Sequence, residues 1–335
     1  MRNRRFALLA ASGVVWLAPI LVSGQAPSTK ANTPPRTSWK VPRTPWGDPD
    51  LQGIWNNSTT TPLERPAALA GREFLTPQEA AERDELANRT ADDPPAAGDP
   101  GTYNAFWFDR GKSLPRTSLI VDPPDGRLPP YTLDAQKRLA GRLENRRRQG
   151  PEPADGPEDR NLAERCITRG APKLPGGYNN NFQIVQTPRY VAILQEMIHE
   201  VRIIPLDKRP HVNPSIRQWL GDSRGHWEGN TLVVDTTNFD DRIIDNSFNC
   251  CRGAGGNLHV IERFTRVDED TIDFKYTVDD PSTWTRSWTA AVPMERSEAP
   301  LYEYACHEGN YALPGILKGA RAQEKAAAES VRRPR

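Results

Sequence analysis

The chain has 335 residues, with 44 basic and 43 acidic side chains and a formal charge of +1. So even a balance gives no electrostatic grip on nucleic acid or on an anionic membrane surface, which excludes both as partners. After residue 24 no apolar stretch is long enough to span a bilayer, so no stable membrane insertion is expected.

The first element is a leader. Arg2, Arg4 and Arg5 precede an almost uncharged apolar run from Phe6 to Val22, and Ser23-Gly24 supply small residues before Gln25. This reads as a signal peptide, residues 1–24, cleaved after Gly24. The run is short for an anchor and is broken by Ser12 and Pro19. A periplasmic or extracellular protein is expected, with the choice between general and twin-arginine export left open.

Of the 32 prolines, 23 lie between Pro27 and Pro188 and only five lie in 189–299. Residues 25–45 therefore read as a flexible lead-in and 46–317 as one β-barrel-like domain. Within it, 66–178 is an irregular, partly helical insertion, and 318–335 form a polar C-terminal tail. Asp50-Leu51-Gln52-Gly53-Ile54-Trp55 reads as the first strand. Thr76-Pro77-Gln78-Glu79 opens a helix to about residue 89, with a capping hydroxyl and an acid three residues on. Thr132 starts a second, which carries Leu133, Leu139 and Leu143 on a thin apolar face and stops at Gly150.

From Asn181 the period becomes two. Residues 182–187, 190–196 and 201–207 read as successive strands, and Asn213-Pro214 as the start of a short helix over 215–220. A hairpin turns at Glu228-Gly229-Asn230, and another joins 258–267 to 271–278. Ile272, Phe274, Tyr276 and Val278 share one face of that second arm. Residues 283–292 and 301–307 complete the strands, and a fraying helix ends the chain. The fold class is mainly β: an antiparallel meander that closes into a lipocalin-like up-and-down barrel, with a Pro-rich, partly helical N-terminal insertion and a C-terminal helix. An open sheet or sandwich under the Pro-rich segment is the alternative.

Four cysteines in an oxidising compartment allow three connectivities. Cys166 with Cys306 is the expected pair, because each sits beside a well-patterned strand. Adjacent Cys250 and Cys251 are expected to pair elsewhere or stay free.

Four stretches, "GHWEGNTLVVDTTNF", "YNNNFQIVQTP", "RPH…IRQWLGDSRG" and "YEYACHEGNY", resemble those of a family of secreted bacterial proteins common in environmental genomes. The resemblance covers most of 46–325. It implies membership and export and no particular reaction. Cys250-Cys251 depart from the plain polar loop usual there, which favours Cys166 and Cys306 as the shared pair. Gly53-Ile54-Trp55 also resembles the Gly-x-Trp of the first strand in lipocalin and calycin barrels.

The chemistry is less legible than the fold. No histidine pair has helical zinc spacing, and the one set considered, His199, His259 and His307 from separate strands, is weaker than hydrogen-bonded sheet histidines; neither metal nor cofactor is expected. On a strand over 301–307, Cys306 and His307 point to opposite faces, which argues against a thiol–imidazole pair. Glu303 and His307 share a face there, while in the neighbouring hairpin His259 and Arg263 lie opposite Glu262. Facing inward, these would form an acid–base set; otherwise they are an ion-pair network that fixes register. Trp107, Asn180, His199, Trp284, Trp288 and Tyr304 are the candidate ligand contacts. The expected function is a secreted barrel that binds an apolar or aromatic small molecule. The alternatives are a cofactor-independent His/Glu lyase, isomerase or hydrolase acting on a carbohydrate or hydrophobic metabolite, and a structural envelope protein.

Overall fold

Trp55 is fully buried and donates its indole N–H to the carbonyl of Leu51 at 2.9 Å, fixing the first strand, β1 (Gly53–Asn56), at one end of the core. The guanidinium carbons of Arg296 and Arg266 lie 4.9 and 5.5 Å from its ring, capping that end with cation–π contacts. The computed structural model of the chain describes residues 39–91, 105–149, 154–245, 250–251 and 253–332. It divides into units Met1–Trp39 and Lys40–Arg335, and the architecture below is that of the second. The expected signal peptide and most of the lead-in lie outside the described residues.

Ten further strands follow: β2 (Ile120–Asp122), β3 (Asn181–Gln186), β4 (Tyr190–Gln195), β5 (Glu200–Pro205), β6 (Asp222–Glu228), β7 (Thr231–Thr237), β8 (His259–Arg266), β9 (Thr271–Asp279), β10 (Trp288–Ala291) and β11 (Met294–Arg296). The main sheet runs β5-β4-β3-β1-β11-β9-β8-β7-β6, with every pairing antiparallel. Taken round the molecule this is sequence order, with β10 and β2 as a side ribbon on β9. The fold is therefore mainly β, an up-and-down sheet nearly closed into a barrel, as the alternation in the sequence predicts.

The two end strands, β5 and β6, are not joined by a ladder. Side chains close the seam instead. A β-carbon on Gly225 would lie 2.8 Å from methyl groups of both Ile204 and Leu206. At the other end of β6, Gly229 takes φ +61° in a two-residue loop that sets Glu228 opposite Thr231.

Alternation fills the lumen. On β8 Val260, Glu262, Phe264 and Arg266 are buried, while His259, Ile261, Arg263 and Thr265 are partly exposed. On β9 the buried set is Ile272, Phe274, Tyr276 and Val278. Phe264 stacks on Phe274 at 4.5 Å, and Tyr276, Trp288 and Trp284 continue the series edge to face at 5.9 and 5.8 Å. Burial of Phe264 and of Phe274 contributes roughly 1.5–3 kcal/mol each.

Helix α1 (Pro77–Ala91) has the expected capping box: Glu79 N donates to Thr76 Oγ1 at 3.2 Å, and Thr76 N donates to Glu79 Oε2 at 2.8 Å. In α2 (Leu133–Gln149) the Thr132 hydroxyl accepts from Ala135 N at 3.1 Å. The chain ends on α3 (Ala312–Arg332), with Pro314 in its first turn. No helix among the described residues is long and apolar enough to cross a membrane.

Four expectations are corrected. Residues 301–307 are not a strand. Cys306 N, Gly309 N and Tyr311 N donate to Tyr304, Ala305 and Gly309 carbonyls, so the donors a ladder would need are used locally. Strand β11, between β1 and β9, takes the expected place of that segment. Residues 215–220 form no helix, because Asn238 Nδ2 draws the carbonyls of Val212, Asn213 and Ile216 to itself at 3.0–3.2 Å. The strand expected over 283–292 is confined to β10, because the Thr283 and Trp284 amides turn back to the carbonyl of Asp280. Finally, Cys250 and Cys251 are bonded to each other, with Cα atoms 3.8 Å apart, and both are buried against the core. The expected Cys166–Cys306 bridge is present and leaves these neighbours only one another as partners.

Candidate functional site

The lumen holds charge but little space. Glu262 receives both terminal nitrogens of Arg202, one of them at 2.8 Å, across the barrel from β8 to β5. The two side chains are 1% and 11% exposed, so each satisfies a charge the other would otherwise leave buried and unpaired. Beside them is a cavity of about 20 Å³, room for about one or two water molecules, lined in part by Lys173, Gln195 and Glu200. Burial pushes the Glu200 carboxyl up to about 7, against hydrogen bonds from Thr168 and the Arg169 amide. Aromatic packing fills the rest of the lumen.

The larger concavity lies outside the sheet. A groove of about 670 Å³ runs along β6 and the 206–211 segment. That volume lies within the range of small-ligand sites. Leu206, Pro210 and Trp227 form its apolar part, and Lys208, Arg224 and His226 are among its polar walls. Lys208 is held at φ +59° in the tight connection after β5.

A hydrogen-bonded network opens into the groove. His211 places Nδ1 2.8 Å from Asp222 Oδ2 and Nε2 3.0 Å from Asp235 Oδ1, so its ring bridges the two carboxylates. His259 Nε2 lies 3.0 Å from the same Asp235 oxygen. Arg224 Nη1 donates to Asp222 Oδ1 at 2.7 Å, and its Nε donates to the Pro210 carbonyl at 3.1 Å. The hydrogen bond to Asp235 raises His259 above the usual imidazole range, and the His259 hydrogen bond holds Asp235 below the usual carboxylate range. The sheet makes this arrangement: β6 sets Arg224 opposite Asp235 on β7, and β8 brings His259 alongside on the outer wall.

The candidate residues read from the sequence are dispersed. Glu262 is in the lumen, whereas His259 and Arg263 are outside, Arg263 paired with Glu228. Glu303 and His307 are exposed in the turn that replaces the expected strand, so no set with His259 or Arg263 forms. His199 donates from Nδ1 to the Tyr304 carbonyl at 2.8 Å, and Tyr304 packs on Met197 and Ile198. Asn180 is fully buried; its Oδ1 accepts from Lys173 Nζ at 2.9 Å, and its Nδ2 donates to the Asp109 carbonyl at 2.8 Å. Trp107 is exposed beside Phe106, and Trp284 and Trp288 are core residues. Among the described residues no group of three or more His, Cys, Asp or Glu is placed to hold a metal ion.

His211, Asp222, Arg224 and Asp235 are not among the candidates read from the sequence. The signal was present in the hairpin register, since a loop at Gly229-Asn230 places Arg224 directly opposite Asp235. The approach of the 206–211 segment, which carries His211, has no such local signature. No family model, curated protein or solved structure matches the chain.

Proposed function

We propose that the protein is an exported β-barrel that binds a small molecule in the outer groove along β6, and that its ligand joins an apolar or aromatic body to an acidic group. The observation that carries this reading is the groove's composition: an apolar stretch of Leu206, Pro210 and Trp227 beside Lys208, Arg224 and the histidines His211 and His226. The indole takes the body of the ligand, and the cationic rim takes its acid. The narrowness of the lumen favours the groove over the barrel interior. The leader sequence and the Cys166–Cys306 bridge support export, as does the secreted family that the chain's motifs resemble.

The test is to purify the chain from an exporting host, denature it and identify the released small molecules by mass spectrometry. A small aryl or alkyl acid, present near one equivalent and lost from the Lys208→Ala/His226→Ala double variant, is the expected result. Release of no small molecule, together with no binding from a panel of such acids, contradicts the reading and favours a structural role.

A second reading is favoured by the two imidazoles on Asp235, an arrangement suited to passing a proton to a molecule in the groove. It makes the protein an acid–base enzyme with His259 or His211 as the acting group. Turnover that disappears in His259→Gln while binding persists is its signature. Stoichiometric binding without turnover removes it.

A further inference from the structure

Lys173 is 5% exposed and sits on the wall of the luminal cavity, apart from the groove. Its ammonium form has three N–H donors, yet its one protein acceptor among the described residues is Asn180 Oδ1 at 2.9 Å. No carboxylate forms an ion pair with it there, and its other close contact is the Phe182 ring, 5.9 Å from Nζ. A buried ammonium with one partner is costly, whereas a neutral amine needs less: it donates to Asn180 and keeps a lone pair free. Burial, with the charge of Arg169 adding to it and the more distant carboxylates of Glu196 and Asp109 opposing it, lowers this amine to about 7. Both terminal nitrogens of Arg202 are on Glu262, so the cavity offers no unpaired guanidinium to a charged ligand. Phe182, Ile193, Phe264 and Met294 complete an apolar wall that keeps bulk water from the amine.

We propose that Lys173 is a nucleophilic amine that condenses reversibly with a small uncharged aldehyde admitted to this cavity. The nitrogen lone pair adds to the carbonyl carbon and gives a carbinolamine. The nitrogen then loses its remaining proton and the carbon loses its hydroxyl, so that one water leaves and a C=N bond forms with no change of oxidation state. Glu200, on the same cavity and protonated below about pH 7, is the acid available to the departing hydroxyl. The cavity's size restricts the carbonyl compound to about two or three heavy atoms. This assignment is independent of the groove reading.

The test uses acetaldehyde with sodium cyanoborohydride on the full chain at neutral pH, followed by peptide mapping. Cyanoborohydride fixes the imine as an ethyl group, and Lys173 should acquire it at least about tenfold faster than exposed Lys137 or Lys318. Benzaldehyde, too large for the cavity, should leave Lys173 unlabelled. The Lys173→Arg variant keeps a donor for Asn180 and should fold but lose the fast adduct. An unlabelled Lys173 beside labelled surface lysines, labelling at their common rate, or equal labelling by benzaldehyde would each overturn the proposal. A fast adduct that persists in Lys173→Arg would do the same.

Discussion

One oxygen of Asp235, on the wall of the groove, accepts from two imidazoles. His259, raised from 6.5 by its hydrogen bond to Asp235, contributes stability that is whole below its unfolded value and is lost as pH rises through the folded one. Asp235, lowered from 3.8, contributes stability that is whole above that value and is lost as pH falls through its folded one. The pair therefore supports the fold most fully from about pH 4 to about 6.5. An NMR titration of the imidazoles should find His259 above the usual range and return it to that range in Asp235→Asn; an unchanged value in the variant would contradict the assignment. At the Arg202–Glu262 pair the cost lies in isolation. Glu262→Ala leaves a buried guanidinium unpaired and should destabilise by about 3–5 kcal/mol in urea unfolding, whereas replacing both residues with apolar ones should recover most of the loss. A single-variant loss below about 1 kcal/mol would mean that water already reaches the pair.

At the scale of elements, the seam between β5 and β6 is held by packing in place of a ladder. Ile204 is fully buried and cannot yield to a new side chain, so Gly225→Val should cost about 1–3 kcal/mol. Hydrogen exchange should quicken in β5 and β6 more than in β3 and β4, and equal acceleration across all four strands would contradict a seam opened by side chains. The Cys166–Cys306 bridge fastens residues 302–311 across a separation of 140 residues. Replacing both cysteines with serine removes a constraint worth about 4–5 kcal/mol in the chain-entropy account, readable as a fall in Tm. An unchanged Tm would assign that segment's hold to Asn310, which donates to the Glu164 carbonyl at 2.8 Å. These elements also separate what the sequence reveals from what it hides. Strands with period-two alternation, such as β8 and β9, are legible residue by residue. Residues 302–308 alternate as convincingly, yet local amide-to-carbonyl turns at Cys306 and Gly309 prevail over the pattern.

For the whole molecule, the barrel follows from alternation and short turns, and the candidate site is only half written in the same pattern. His259 and Glu262 stand out because a strand displays them, on opposite faces as alternation requires. His211 and Lys173 come from irregular segments, whose approach to the sheet depends on contacts more distant in sequence, such as Asn57 with the Lys173 carbonyl and Asp235 with His211. The central claim is that the outer groove, and not the lumen, takes the acidic ligand. It is tested most directly by titrating a panel of small aryl and alkyl carboxylates into the wild-type chain, the Lys208→Ala/His226→Ala variant and Glu200→Gln. The account predicts binding at least about tenfold weaker, about 1.4 kcal/mol, in the groove variant and unchanged binding in Glu200→Gln. Unchanged affinity in the groove variant, or a loss confined to Glu200→Gln, would contradict it.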